Sequence, residues 1–361
     1  MFMLLRYWER KPESLIEKYI DYTSDVVLDP FGGSGLIVRY VAERGKEGIY
    51  VDINPYAYLV AFVNTQPIDK SEFKEKAYEV LEIARKMRTR KRVLSNDYLY
   101  YKDGKSFLKK EKVERVSELF TLDSFRKLYT ILKAIDKVVD SGIQFPTAIA
   151  LYGAFCATLF PSSKMKRKNA GSWGVPSYWV PEKHEEQDPY QVFERQIENF
   201  SRKFITKQLN VKLFLGNALT FKYGKYRSAT LFTDPPFFDE IQYMELSFFY
   251  WAWLKESKFP LLLKKYIGKR VTFSFSEEIV YNPVRNDKIS YEQKLELFLK
   301  KTKKMKEKIL IFHEENEKVR NRIIEKINNI WGRIEIETEV VHNHRKIGKR
   351  GGNEYIIVIS S

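Results

Sequence analysis

The stretch VVLDPFGGSGLIVRYVAERG, residues 26–45, decides the fold of this chain. Its apolar run ends in Asp29, and small residues follow before a helix-like segment that stops at Gly45. Glycines in such a turn let a bound molecule approach backbone N–H groups at the start of a helix. The turn lacks the Gly-Lys-Ser/Thr of a Walker loop, and its glycine spacing differs from a dinucleotide-binding turn. The pattern therefore favours a nucleoside cofactor lying against bare backbone.

A second apolar strand follows, from Gly48 to Asp52, and completes a βαβ pattern that indicates a parallel sheet. In doubly wound sheets, ligands bind beyond the carboxyl ends of the strands. Asp52 lies 17 residues after Gly35, where an acid can accept hydrogen bonds from a ribose diol. Taken alone, Asp52 would equally suit a helix N-cap. The aspartate and glycines of the first stretch favour the ribose interpretation.

The rest of the chain separates into a helix-like part and a part that returns to strands. From about Ser71 to Asn210 the periodicity is mostly helical, and later strands are predicted to end near Gly216 and at Asp234. A further strand and a closing antiparallel hairpin are predicted from EKILIFHEEN, GRIEIETEVVHNH and NEYIIVISS. We expect an α/β fold with a mostly parallel seven-stranded sheet, divided into residues 1–65, a helical insertion at 66–210, and residues 211–361.

Composition limits the class of protein. The 361 residues carry a formal net charge of +16, which favours a polyanionic partner, although a soluble or thermophilic surface could also be basic. No window reaches the ~18 apolar residues of a membrane helix, and the first residues do not resemble a signal peptide. Cys156 is the single cysteine, so neither an internal disulfide nor a zinc cluster of several cysteines is possible. We expect a cytoplasmic protein with no membrane partner and no metal.

Two motifs carry a family resemblance. DPFGGSG at 29–35 resembles the cofactor motif of S-adenosylmethionine-dependent amino-methyltransferases, which modify adenine N6 or cytosine N4, and TDPPF at 233–237 resembles their catalytic motif. Other segments are similar to archaeal and bacterial adenine-specific DNA methylases, which often carry a zinc ribbon: RYWERKPESLIEKYI, VDINPYAYLVAFVNTQPID, TDPPFFDEIQYMELSFFYWAWL and, more weakly, EEIVYNP at 277–283. With one cysteine, this chain departs from that group and cannot have the ribbon.

The resemblance implies a class I, Rossmann-like methyltransferase and a set of site residues. Asp52 would hold the ribose of S-adenosylmethionine, and Ile53 would pack on its adenine. Asn217, where many relatives have an aspartate, would meet the adenine amino group through its side-chain carbonyl. The cofactor-binding residues implied by the resemblance are Lys11, Pro12, Asp29, Pro30, Phe31, Gly33, Gly35, Asp52, Ile53 and Asn217.

The resemblance places catalysis on Asp234, Pro235, Pro236 and Phe237. An exocyclic amino group is a poor nucleophile because its lone pair is delocalised into the ring. Asp234 and the carbonyl of Pro235 would accept its N–H groups, the two prolines would stiffen the turn, and Phe237 would stack on a flipped base. Methylation at cytosine C5 would instead need a cysteine nucleophile, but Cys156 lies in an apolar run and is interpreted as a buried hydrophobic residue.

A nucleic-acid partner has several candidate contacts. Four basic runs, each equally compatible with a solvated face, occupy Arg85–Arg92, Lys164–Lys168, Lys300–Lys308 and Arg345–Arg350. One loop combines basic and aromatic residues, and its predicted nucleic-acid-binding residues are Lys166, Arg167, Lys168, Trp173 and Trp179. DNA is favoured by the resemblance, and ribosomal RNA is the alternative substrate. A catalytically inactive nucleic-acid-binding relative is the alternative of another class, and a small-molecule methyltransferase fits the charge least.

Overall fold

The chain forms two compact units in a computed structural model that describes residues 4–5, 7–8, 13–107, 113–168, 178–236, 238, 241–285, 287, 289–312, 317–343 and 352–360. The first, here called the helical unit, comprises Met1–Arg6, Phe62–Gln208 and Tyr243–Phe273. The second, the sheet unit, comprises Tyr7–Ala61, Leu209–Gln242 and Ser274–Ser361. Residues 243–273, which the sequence assigns to the methyltransferase part, therefore belong to the helical unit.

At the N-terminal end of the chain, the regular elements alternate in the way the βαβ pattern predicts. The helices are α1 (Glu13–Ile20), α2 (Leu36–Glu43), α3 (Pro55–Thr65), α4 (Lys70–Lys86), α5 (Leu122–Asp140), α6 (Phe145–Leu159), α7 (Pro189–Lys203), α8 (Tyr243–Leu254), α9 (Phe259–Ile267), α10 (Tyr291–Thr302) and α11 (Glu317–Trp331). The strands are β1 (Val26–Asp29), β2 (Glu47–Asp52), β3 (Val211–Leu215), β4 (Thr230–Thr233), β5 (Glu307–Phe312), β6 (Glu335–Asn343) and β7 (Gly352–Ser360).

The strands of the sheet unit lie in the order β3-β2-β1-β4-β5-β7-β6. Strands β1 to β5 pair in parallel, with Asp29 beside Tyr50 and Asp52 beside Leu215. β7 pairs antiparallel with both β5 and β6, and the connection from 344 to 351 lies outside the described residues. The prediction of an α/β fold with a mostly parallel sheet is confirmed for β1 to β5.

The sheet is held by burial of its apolar strands against two helices. Leu28, Val51 and Leu231 are fully buried at the centre of the sheet. They belong to one core cluster with apolar residues of α10 and α11, among them Phe298 and Ile327. Consecutive residues of β1 face opposite sides of the sheet, and because Val27 and Leu28 are both fully buried, the strand is apolar up to Asp29 rather than alternating.

In the helical unit, side-chain caps explain where several helices begin. Asp69 accepts the N–H groups of Ser71 and Glu72 at the start of α4, and Asp188 caps α7 in the same way. Helix α8 has no polar face, and its residues from Met244 onwards are buried. Cys156 is buried in α6, and burial raises the pKa of its thiol well above the usual value.

Among the residues that the structure describes, no helix has both the length and the apolar character needed to cross a membrane.

Candidate active site

Three aspartates lie at one edge of the sheet unit. β1 ends at Asp29, β2 ends at Asp52, and Asp234 directly follows β4. Because these strands are parallel neighbours in the order β2-β1-β4, their carboxyl ends meet at the same edge. The chain order reverses between β1 and β4, which is where doubly wound sheets bind ligands. The fold thus brings the two sequence motifs to adjacent strands.

The glycine turn after β1 is tied to β2. The N–H of Gly32 donates to the carbonyl of Val51 at 3.0 Å, and the hydroxyl of Tyr50 donates to the carbonyl of Gly33 at 2.9 Å. Gly33 and Gly35 have φ angles of 48° and 79°, in the left-handed region that favours glycine. A Cβ on Gly32 would lie 2.1 Å from Cδ2 of Tyr50. The turn therefore needs its glycines for close packing as well as for backbone conformation.

Asp52 is buried, with 8% of its surface exposed, and it holds the same turn from the end of β2. Its two carboxylate oxygens accept the N–H groups of Gly33 at 2.9 Å and of Asn54 at 2.8 Å. Burial raises the pKa of this carboxyl to about 6, although the backbone N–H donors oppose the shift. Each oxygen has a further lone pair, so the carboxylate has capacity to accept hydroxyl donors from a ligand.

Asp29 links the two motifs. Its Oδ1 accepts the hydroxyl of Thr233 at 2.6 Å and the N–H of Phe31 at 3.2 Å. Burial, with a smaller contribution from the charges of Asp234 and Asp52, raises its pKa to about 7, although the two hydrogen bonds oppose the shift. Thr233 immediately precedes Asp234, so the bond connects the cofactor motif directly to the start of the DPP turn.

Some of the remaining predicted site residues are described by the structure, and others are not. Pro235 is buried, and Asp234 and Pro236 are half-buried, while Phe237 lies outside the described residues. Lys11 and Pro12 also lie outside them. Of the cofactor residues, Pro30 is buried, whereas Phe31 and Ile53 are half-buried.

Two cofactor predictions have partners within the protein. The ring of Phe31 lies edge-on to Phe298, with 4.9 Å between ring centroids, so part of its surface packs in the core. The side-chain carbonyl of Asn217, two residues beyond β3, accepts the N–H of Leu219 at 2.7 Å. One lone pair of that oxygen is therefore used to form a turn, and the other has capacity to accept from a ligand.

Four of the predicted nucleic-acid-binding residues are described, and they lie in the helical unit: Lys166, Arg167, Lys168 and Trp179. The guanidinium of Arg167 lies 4.7 Å from the ring centroid of Trp179, whose surface is 43% exposed. Lys166 has an ion-pair partner in Glu185 at 3.7 Å, and Lys168 is exposed. Trp173 lies outside the described residues.

Sequence reasoning missed two residues that hold the sheet edge. Thr233 is a fully buried polar residue at the end of an apolar strand, directly before the DPP turn, and that position is a usable signal. Tyr50 is a bulky residue in β2 whose contact with Gly32 depends on strand register, which no local pattern reveals.

The comparisons with known proteins add no relative. No family model, no curated protein and no solved structure matches the chain. Among the described residues, no group of three or more His, Cys, Asp or Glu side chains is placed to hold a metal ion.

Proposed function

We propose that this protein is a class I methyltransferase, with the seven-stranded sheet and C-terminal hairpin of that class. It would transfer a methyl group from S-adenosylmethionine to the exocyclic amino group of a flipped base, adenine N6 or cytosine N4. The observation that carries the proposal is the 2.6 Å bond from Thr233 to Asp29, which joins the strand of the cofactor motif to the strand of the DPP motif. Asp52 at the end of the neighbouring β2 completes the row of acids.

The residues at the sheet edge fit S-adenosylmethionine. The buried carboxylate of Asp52 offers acceptors for two ribose hydroxyls, and the half-buried Ile53 offers an apolar surface for adenine. The glycine turn leads into α2, which begins after Gly35 without a side-chain cap. When bound, the sulfonium group of the cofactor supplies an electrophilic methyl group. Its positive charge suits an edge with three aspartates.

In this proposal Asp234 and Pro235 activate the target amino group. The carboxylate of Asp234 accepts one N–H, and the carbonyl of Pro235 accepts the other. These two bonds would localise the nitrogen lone pair for methyl transfer, in which the C–S bond breaks as the C–N bond forms, and the methylated nitrogen would then release one proton to solvent. The consecutive prolines fix the direction of both acceptors, so the reaction needs alignment more than acid–base exchange. Phe237 would stack on the flipped base.

The substrate is proposed from charge and resemblance. The net charge of +16 suits a nucleic acid, and the motif resemblance favours DNA over RNA. Arg167, whose guanidinium lies over the ring of Trp179, offers a phosphate contact beside a partly exposed aromatic side chain.

Methyl transfer from labelled S-adenosylmethionine tests the proposal. The protein would be incubated in parallel with genomic DNA, intact ribosomal particles and no acceptor, and the modified nucleosides identified by mass spectrometry. We expect label in N6-methyladenosine or N4-methylcytidine, as the deoxynucleoside if DNA is the substrate. Label in the ribonucleosides alone would identify RNA as the substrate. Tight cofactor binding without label on either acceptor would support an inactive nucleic-acid-binding relative.

A further inference from the structure

The chain beyond the DPP turn adopts an unfavourable backbone conformation. Phe238 lies four residues after Asp234 and has a φ angle of 34°. Among the described residues, only one other non-glycine, Asn96, has a positive φ. A bulky aromatic residue rarely adopts this region, and such strain persists only where surrounding structure holds it.

Tyr281 holds Phe238 through both backbone and ring. The N–H of Tyr281 donates to the carbonyl of Phe238 at 2.6 Å. The two rings lie parallel, with centroids 4.6 Å apart and an interplanar angle of 6°. Tyr291 of α10 meets Phe238 edge-on at 5.7 Å. Phe238 is thus enclosed by aromatic rings on its face and its edge.

Gln242, the residue before α8, is hydrogen-bonded to Tyr281 and to its neighbour Asn282. The side-chain amide of Gln242 donates to the backbone carbonyl of Tyr281 at 3.0 Å, and the side-chain amide of Asn282 donates to Oε1 of Gln242 at 2.9 Å. Residues 238 and 242 both contact the Tyr281–Asn282 dipeptide. This dipeptide belongs to the EEIVYNP segment at 277–283, which carries a weaker part of the family resemblance.

A buried charge cluster anchors this dipeptide in the sheet unit. Arg285 pairs with Glu278 at 3.1 Å and with Asp287 at 2.9 Å, and Lys294 of α10 pairs with Asp287 at 3.0 Å. Lys294 also donates to the carbonyl of Glu278 at 2.7 Å. Hydrogen bonds and opposite charges satisfy these buried groups, which fixes one geometry even where net stability gains little. Residues 278–285 and Asp287 are therefore tied to α10 through Lys294.

We propose that Tyr281 is a positioning residue for the proposed methyl transfer, which keeps Phe238 in its left-handed conformation and thereby aims the acceptors of Asp234 and Pro235. The inference rests on the proposed function. Tyr281 acts through the loop: its backbone N–H and its ring set the direction in which the chain leaves the DPP turn. The hydrogen bonds of Asp29 and Asp52 described above involve neither Tyr281 nor Phe238, so loss of this support should affect turnover rather than cofactor affinity.

Substitution of Tyr281 tests the inference. Tyr281→Ala should lower kcat at least tenfold while the Kd for S-adenosylhomocysteine stays within twofold of wild type. Tyr281→Phe keeps the ring and the backbone N–H and should restore kcat to within twofold. Tyr22→Ala, which removes a 73% exposed tyrosine of the same unit, is the matched control and should leave kcat unchanged.

A second variant tests the same contact with a substitution that the backbone at this position should tolerate. Phe238→Gly accepts the positive φ without strain but loses the stacked ring, so it should fold and bind cofactor while kcat falls at least tenfold. If wild type transfers methyl groups and both Tyr281→Ala and Phe238→Gly retain its kcat, the positioning role is wrong and the proposed function stands. If cofactor affinity falls together with kcat, Tyr281 is merely structural. If wild type transfers no methyl group to DNA or RNA, the proposed function itself is overturned.

Discussion

At the scale of single residues, burial raises the pKa of two carboxyl groups at the sheet edge. Asp29 has a pKa of about 7 and Asp52 of about 6, both raised mainly by burial from an ordinary 3.8. At intermediate pH the native protein therefore holds protons that the unfolded chain has released. Their contribution to the free energy of unfolding therefore falls as pH rises from about 4 to about 7. The loss is about 1.4 kcal/mol for each unit by which the pKa in the folded protein exceeds the pKa in the unfolded chain.

Asp29→Asn should flatten this pH dependence. The amide cannot ionise, yet its carbonyl can still accept the hydroxyl of Thr233, so the variant should gain stability relative to wild type as pH rises towards neutral. Urea unfolding at several pH values measures the difference, with Asp25→Asn, an exposed aspartate just before β1, as control. Parallel curves for Asp29→Asn and wild type would show that Asp29 does not titrate in this range.

Asp52→Ala tests the ribose contact. The variant should bind S-adenosylhomocysteine at least tenfold more weakly, since hydrogen bonds to a charged group are worth about 1.5–3 kcal/mol each. Isothermal titration calorimetry measures the affinity, and Asp25→Ala serves as the control. Because Asp52 also holds Gly33 and Asn54, circular dichroism must show a folded variant. An unchanged affinity would remove Asp52 from the cofactor site.

At the scale of elements, the turn between β1 and α2 packs directly on β2. Gly32→Ala would place a Cβ 2.1 Å from the ring of Tyr50, so we expect a loss of about 1–3 kcal/mol of stability by overpacking. Gly224→Ala is the matched control, because no atom lies within 4 Å of a Cβ there. Urea midpoints compare the two. Equal midpoints would mean that the turn can move away from Tyr50 at no cost.

Local patterns could predict the strands and their terminal acids but not the contacts between distant segments. The apolar run before Asp29 and the βαβ pattern locate β1 and β2 because burial and helix periodicity are local signals. The bond from Thr233 to Asp29 spans 204 positions, and the stack of Phe238 on Tyr281 joins segments that no motif pairs. Helix α8 has no polar face, so its sequence alone could not indicate that it belongs to the helical unit.

At the scale of the whole molecule, the formal charge of +16 overstates the cations available to a partner. Arg85 of the first basic run pairs with Glu194 at 3.2 Å, and Lys300 of the third pairs with Glu296 at 2.6 Å. Lys308 is buried, and burial lowers its pKa. A charge run in sequence therefore identifies a candidate surface, and ion pairing decides how much of it a phosphate can use.

The basic loop is the proposed partner surface in the helical unit. Neutralising Lys166, Arg167 and Lys168 should lower the slope of log affinity against log salt by about two units, roughly one per lost phosphate contact, because Lys166 already has Glu185 as a counter-ion. Trp179→Ala should instead cost about 1–3 kcal/mol of binding with little change in slope. Fluorescence anisotropy with labelled DNA and RNA at several salt concentrations measures both.

The matched control removes the same charge elsewhere. Arg202, Lys203 and Lys207 are exposed at or just beyond the end of α7 and lie outside the four basic runs, so changing all three to alanine lowers the net charge equally. This control should leave the salt slope near that of wild type. If the loop variant and the control behave alike, the loop makes no specific contact, and the run Arg345–Arg350, outside the described residues, is the next candidate.

The most direct test of the central claim is the rate of methyl transfer by Asp234→Ala. Its carboxylate is proposed to act on the target amino group, so the variant should lose transfer while its calorimetric affinity for S-adenosylhomocysteine and its nucleic-acid affinity stay close to wild type. Turnover above a few per cent of the wild-type rate would contradict the role of Asp234, and with it the assignment of this sheet edge as a methyl-transfer site.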